Sequence, residues 1–252
     1  MSDRVLTWVR RLGESGSADG QRRRVLVPVA VLEGETLPPS TVELLGGSHV
    51  ILLGYHEVPE QTPPGQAQLQ FEARATDILE SMVGDLEAAG TVVESVVVFT
   101  QSAEETIERI WTEEDCDARL VVQPHGPLES VVLAVTPELD PGLVVGVTLD
   151  VLPGGDWRVA LVDAGRTVDA ADVEATRRAL VDAGIGESRI DVADPEANRP
   201  VARIVEAAAM ADLVVMPEPG SDLEEALLGD SARRVANGYV GPVLVVRPEQ
   251  FD

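Results

Sequence analysis

The sequence predicts an α/β protein built from two successive parallel sheets. Three observations carry this expectation. Short valine-rich runs alternate with segments of helical period, the alternation starts at Arg24, and the same strand–helix order occurs twice. Strands separated by crossover helices form parallel sheets with right-handed connections, and recurrence of the order reads as an internal duplication.

In the first copy, "RVLVPVA" (24–30) is apolar enough for a buried strand, "PPSTVELLGG" is a short helix, and "HVILLGYHEV" is a second strand. Residues 66–90 place Leu69, Ala73, Ile78, Met82 and Leu86 at helical spacing and stop at Gly90. "VVESVVVFT" is the third strand. Ser102 then precedes "AEETIERI" with Glu105 three positions on, a capping-box pattern. "ARLVVQP" is the fourth strand.

The second copy opens with the strand "SVVLAV" (130–135). "LDPGLVVGVTLDVL" follows as an apolar helix whose valines also suit a strand. Next come the strand "WRVALVDAG", a helix ending at Gly184, the strand "SRIDVADP", the helix "NRPVARIVEAAAMA", the strand "DLVVM", a loop with its helix, and the strand "PVLVVRP". The expected organisation is an N-terminal segment and linker (1–21), a first, truncated repeat (22–128) and a second repeat (129–252).

Residues 4–12 carry Val5, Leu6, Val9 and Leu12 at roughly helical spacing among Arg4, Arg10 and Arg11. They read either as a cationic amphipathic helix that rests on a membrane or a transporter, or as a helix packed on the body or a frayed terminus. "GESGSADGQ" after them has linker composition.

Composition narrows the function classes. Forty-four acidic residues stand against 19 basic ones, for a net charge of −25. All 19 are arginine; lysine is absent. Such a field repels nucleic acid, whose binding requires cations at the phosphates. A carboxylate-rich surface keeps a protein hydrated in a salty cytoplasm, and the lysine-free, Val/Ala-rich balance resembles proteins of extreme halophiles. Hydrophobic residues make up 44% of the chain at a mean hydropathy of +0.07, as in a globular protein. No apolar run reaches the roughly 18 residues of a membrane span. The single cysteine, Cys116, excludes an internal disulfide framework and fits a reducing compartment, so the expected location is cytoplasmic.

The run "ADLVVM…G…LLGDSARRVANGYVGPVLVVRP" resembles the universal stress protein family, and the likeness extends over about residues 24–252. The resemblance implies a Rossmann-like, flavodoxin-like parallel α/β fold in tandem form. The nucleotide-binding branch of that family has the pattern G-x2-G-x9-G-[S/T] after strand four and an aspartate after strand one. By resemblance, the contacts of a nucleotide here are Thr136, Val162, Met216, Gly220, Gly229 and Ser231.

The pattern is broken in several places. Pro217 stands at the first glycine and removes a backbone donor. Eight residues, one too few, separate Gly220 from Gly229, and Asp230 holds the hydroxyl position with Ser231 one step later. A carboxylate at Asp230 occupies helix-start amides and repels phosphate. Thr136 replaces the aspartate, and the first copy has Ala30 there. Only "HGPLE" separates "ARLVVQP" from "SVVLAV", so the first copy lacks its last helix and strand and has no room for a phosphate loop.

The expected function is therefore a non-catalytic stress-response or regulatory module that works through protein contacts and needs no cofactor. The alternative is a nucleotide sensor or slow ATP hydrolase using ATP with magnesium in the second copy. Val243 to Val246 read as an exposed apolar edge, inviting homodimerisation by strand pairing unless an internal segment such as 137–153 covers it. An unknown regulatory protein is the other expected partner.

The remaining candidates are weaker. His49, His56 and His125 are scattered and give no metal-ligand spacing. Tyr55 and His56 follow a strand end where ligands gather, but a solvated loop explains them as well. Cys116 has no sequence neighbour to activate it, and Ser221 has no placeable His and Asp. "TEEDCD" and "SDLEE" read as helix-start charges and solvated faces rather than acid–base pairs.

Overall fold

A computed structural model describes residues 5–10, 23–123, 126–137, 140–152, 156–163, 170–193, 207–209, 211–217 and 241–247. The chain forms two compact units, Met1–Val122 and Gln123–Asp252.

The first unit contains β1 (Val5–Arg10), β2 (Arg24–Ala30), α1 (Pro39–Leu44), β3 (His49–Glu57), α2 (Pro64–Ala88), β4 (Val92–Thr100), α3 (Ala103–Glu113) and β5 (Ala118–Val121). Its strands lie in the order β1-β4-β3-β2-β5. β2 to β5 are parallel, as the crossover helices require.

β1 corrects the expectation of an N-terminal helix. Residues 5–10 pair antiparallel with β4, from Val5 opposite Phe99 to Arg10 opposite Ser95, with a slip between Trp8 and Arg10. Six residues are too few to hold a helix unaided, whereas β-branched Val5, Thr7 and Val9 at alternate positions suit a pleated edge. The edge is pinned to α2: Thr7 donates to Glu72 Oε1 at 2.7 Å, and Gln68 donates to Thr7 Oγ1 at 3.0 Å. The Thr7 bond, followed by that of Gln68, holds the Glu72 carboxyl below its ordinary range.

α2 buries Ala75, Leu79, Met82, Val83 and Leu86. Leu69, read from the sequence as part of this face, is 91% exposed. Its turn of the helix presents Gln68 and Glu72 to β1, while Pro64 and Ala67 before it are buried, so the apolar face follows a different line from the one periodicity suggests. The Ser102 cap is present, accepting from the Glu105 N–H at 3.3 Å. Gly90 sits at φ 91° beyond α2, the left-handed conformation that closes a helix most easily with glycine.

The second unit contains β6 (Ser130–Val135), α4 (Pro141–Val151), β7 (Arg158–Asp163), α5 (Ala170–Asp182), β8 (Ile190–Val192), β9 (Leu213–Pro217) and β10 (Val243–Val246). Its sheet order is β10-β9-β6-β7-β8, with every described pairing parallel. The valines of α4 favour a strand, but Asp140 caps a helix start, accepting from the Leu143 N–H at 2.8 Å, and Pro141 occupies the first turn. Nearly all of α4 is buried, so an all-round apolar helix is the outcome.

The two units share one detail of construction. In the first, Arg24 opens β2 and donates its N–H to Asp117 Oδ2 at 2.8 Å, while the Asp117 N–H returns to the Arg24 carbonyl at 2.9 Å. In the second, Ser130 opens β6 and donates its N–H to Asp212 Oδ2 at 2.9 Å, while the Asp212 N–H returns to the Ser130 carbonyl at 2.9 Å. Each aspartate immediately precedes the fourth parallel strand of its unit. The units differ after that strand. β9 is followed by β10, whereas β5 ends at Val121 and β6 opens at Ser130, with no helix or strand between them among the described residues.

β10 is buried within the single chain: Leu244, Val245 and Val246 are fully buried, and Val243 nearly so.

Candidate functional site

Ligands of parallel α/β sheets gather at the carboxyl ends of the strands. In the second unit three neighbouring strands, β9, β6 and β7, bring three of the expected contacts to that end. Thr136 directly follows β6, Met216 is the penultimate residue of β9, and Val162 of β7 pairs with Ala134. Val162 is fully buried and Met216 nearly so, which leaves them apolar packing roles. Thr136 is 4% exposed, and among the described residues its buried Oγ1 has no hydrogen-bond partner. An unmet buried hydroxyl costs about 1–3 kcal/mol, so this atom is the unsatisfied point of the strand end. Gly220, Gly229, Ser231, Asp230 and Ser221 lie outside the described residues.

The helix start beyond β6 is closed to an anion. Asp140 places its carboxylate on the Leu143 N–H, and Pro141 has no N–H to give. A Cβ on Gly142 would meet Asp140 Oδ1 at 3.0 Å, so the cap lies tightly over the first turn. A phosphate brought here would displace that carboxylate or face its charge.

The corresponding end of the first unit is sealed differently. After β2 the chain turns through Gly34, at φ 86°, and returns Glu35 to accept the Ala30 N–H at 2.6 Å. Val31 donates to the Tyr55 carbonyl at 3.2 Å beside it. Burial, then the charges of Glu35, Glu33 and Glu57, push the Tyr55 hydroxyl up to about 12. His56 lies edge-on to Phe71 and Phe99, at centroid distances of 6.1 and 5.9 Å. These neighbours make it a packed ring.

The other candidates fall away from both strand ends. His49 Nε2 is 3.1 Å from Glu94 Oε1, and Arg24 lies within 3.4 Å of Glu94 and Glu114, forming a polar cluster where β2 and β3 begin. Cys116 is buried, and its carbonyl accepts from Trp111 Nε1 at 2.8 Å. His125 is outside the described residues. Among the described residues no group of His, Cys, Asp or Glu could hold a metal ion, and no helix is long and apolar enough to cross a membrane.

Sequence reasoning missed four residues that define these strand ends and starts. Asp140 was legible, because Asp-Pro ahead of an apolar run is a cap followed by a first-turn proline. Asp117 and Asp212 each stand just before a fourth strand, a signal that appears when the two copies are aligned on it. Glu35 has only the preceding Gly34 to announce the turn that returns it.

Comparison with known proteins agrees with this architecture. Residues 149–247 match the universal stress protein family. No curated protein matches the chain. A universal stress protein from Archaeoglobus fulgidus DSM 4304 superposes with a TM-score of 0.55 at 14% identity, over 90% of this chain and 97% of that one. A Pseudomonas aeruginosa PAO1 protein of unknown function gives 0.52 at 17% identity, over 90% and 93%. At such identities the likeness is one of fold. Residues 149–247 are thus similar to the universal stress protein family, and the chain shares the α/β fold of these solved structures.

Proposed function

We propose that the protein is a non-catalytic, cytoplasmic stress-response module that works through contacts with a regulatory protein, and that its two units descend from one duplicated repeat. The paired aspartate clamps at Asp117 and Asp212 support the duplication. The observation that carries the functional reading is the closure of both strand ends. Glu35 occupies the Ala30 amide in the first unit, and Asp140 occupies the Leu143 amide beside Thr136 in the second.

These residues do not fit a tightly held nucleotide. Thr136 offers a neutral hydroxyl, Val162 and Met216 offer apolar surface, and the sequence adds Pro217 and Asp230 where the phosphate pattern wants a donor and a hydroxyl. The acidic, lysine-free composition suits a salt-rich cytoplasm, in which short-range packing and hydrogen bonds outweigh screened surface charge.

A second reading, a nucleotide sensor in the second unit, is favoured by the unmet Thr136 Oγ1, which a ribose or base edge would satisfy. Calorimetric titration with ATP and magnesium at high salt separates the two. The proposal expects no heat of binding from the native chain and weak binding from Asp230→Ser. Micromolar binding by the native chain would establish the sensor instead.

A further inference from the structure

β1 stands apart from the rest of the first unit. The other four strands run parallel and are joined by crossover helices, whereas β1 lies antiparallel on the outer edge of β4. In the second unit β8 holds the place of β4, and among the described residues no strand pairs beyond it. β1 is therefore an addition to the strand order that the two units share.

Its connection is long for the gap it closes. Arg10 pairs with Ser95, Ser95 with Leu52, and Leu52 with Val27, so Arg10 lies level with Val27 across three strand spacings. Three spacings of about 4.8 Å, and the residues from Val27 back to Arg24, put Arg10 roughly 17 Å from Arg24. Residues 11–23, which join the two, reach about 45 Å when extended. β1 is thus free to leave β4 and return without straining β2.

The seat it occupies is shaped and charged. Thr7 donates to Glu72 Oε1, Gln68 donates to Thr7 Oγ1, and Gln68 also donates to Glu72 Oε1 at 2.9 Å, so three side chains close around one hydroxyl. Residues 4–12 carry Arg4, Arg10 and Arg11 and no acidic residue. The helix they meet, α2, carries Glu72, Asp77, Glu80, Asp85 and Glu87 against Arg74. Opposite charges thus bring this segment to this helix.

β1 is also lightly held. Thr7, Trp8 and Val9 are half-buried, while Val96, Val97 and Val98 of β4 are fully buried. The register slips between Trp8 and Arg10, which breaks the ladder at the end nearest the connection. A short edge strand with no described strand beyond it belongs to the parts of a fold that open first. Once it opens, β4 presents an apolar strand with unpaired backbone groups, a template for another extended segment.

We infer that the outer edge of β4, with Gln68 and Glu72 of α2, docks an extended, basic, serine- or threonine-bearing segment of a partner protein, and that residues 5–10 are its built-in occupant, displaced on binding. The β4 ladder sets the extended backbone, α2 sets the basic character, and the Gln68–Glu72 pair sets the hydroxyl. This deepens the reading of the chain as a protein-contact module and rests on that reading for the partner being a protein. Docking at β4 and nucleotide binding at Thr136 are measured separately, so either reading fails without the other.

The probe is a fluorescein-labelled peptide with the sequence of residues 3–12, titrated into the full chain and followed by anisotropy. Saturable one-to-one binding is expected, weakening as salt screens the arginines. Trp8 and Val96 lie opposite each other, so Trp8→Cys with Val96→Cys allows a disulfide that holds β1 in place. The oxidised clamp is expected to bind the peptide at least about tenfold more weakly than the reduced one, because the binding-competent fraction falls. Both forms are one polypeptide, and circular dichroism checks that both are folded.

Thr7→Val supplies a second test that needs no disulfide. In the peptide it is expected to weaken binding severalfold. In the chain it loosens β1 and is expected to strengthen binding of the unaltered peptide, a reversal of sign that a merely structural Thr7 does not produce. No saturable binding by the native chain, equal binding by the oxidised and reduced clamp, or weaker binding by the Thr7→Val chain would overturn the assignment. A native chain that dimerises, and turns monomeric when the clamp is oxidised, would give the edge to a second copy instead.

Discussion

The end of β2 and the end of β6 are the same place in two units of the same strand order, and they are finished in opposite ways. At Ala30 the chain folds back within five residues and supplies its own carboxylate from Glu35. At Thr136 no group of the described chain meets the hydroxyl, and the nearest carboxylate, Asp140, is spent on the helix start. The strand starts, by contrast, are alike, with Asp117 and Asp212 making equivalent paired bonds. Scaffold positions that hold the sheet together are alike in the two units, while the positions where a ligand would sit differ. A parallel sheet tolerates this because its strand ends carry loops rather than core.

The likeness at the strand starts can be broken most visibly. Asp212 accepts from the Glu129 N–H at 3.0 Å, the Ser130 N–H at 2.9 Å and the Ser130 hydroxyl at 2.8 Å. Asp212→Ala leaves these donors unmet and is expected to cost about 3 kcal/mol in denaturant unfolding. Asp117→Ala loses the Arg24 bond and a 3.8 Å ion pair with Arg23, for an expected cost of about 1.5 kcal/mol. Equal losses would show that the clamps are not graded by their hydrogen bonds.

The contrast at the strand ends is sharpened by Glu35→Gln. Removing that charge is expected to lower the Tyr55 pKa from about 12 in an ultraviolet titration, because Glu35 is the largest of the charges raising it. The linkage has a definite sign. The folded hydroxyl holds its proton where the unfolded one releases it, so the native state binds more protons between about 10 and 12. Stability is therefore present below pH 10 and is lost as pH rises toward 12, and Glu35→Gln should narrow that window. An unchanged titration would mean Glu35 does not face Tyr55 in solution.

Thr136→Val should move stability the other way. It replaces an unmet hydroxyl by a methyl of the same shape, so the chain is expected to gain up to about 1 kcal/mol. A loss of that size would reveal a partner for Oγ1. The smallest effects belong to the helix caps. Ser102→Ala in the first unit and Asp140→Ala in the second each remove one bond to a first-turn N–H, and each is expected to cost about 1 kcal/mol by thermal melting.

Much of the fold was legible because periodicity and punctuation agreed. Gly90 and Gly184 stop helices at positive φ where the sequence placed the stops, and Ser102 caps where the S-x-x-E spacing put it. Legibility failed where a segment is decided by its neighbours. Residues 5–10 carry helix-compatible spacing, but the free edge of β4 makes a strand of them. Leu69 keeps the period of α2 and still faces solvent, because β1 takes the adjoining face through Gln68 and Glu72. Burial of β10 likewise depends on what surrounds it, which four apolar letters do not contain. At the site, Thr136, Val162 and Met216, named through the family resemblance, fall on the neighbouring strand ends of β6, β7 and β9. Glu35 was not legible, since a carboxylate returning through a turn leaves no period to read.

The central claim is that the strand end at Thr136 takes no nucleotide. Hydrogen exchange over residues 130–137 and 213–217, with and without millimolar ATP and magnesium at high salt, tests it where the ligand would sit. The account predicts superimposable exchange in both peptides. Slowed exchange confined to them on adding nucleotide would contradict it.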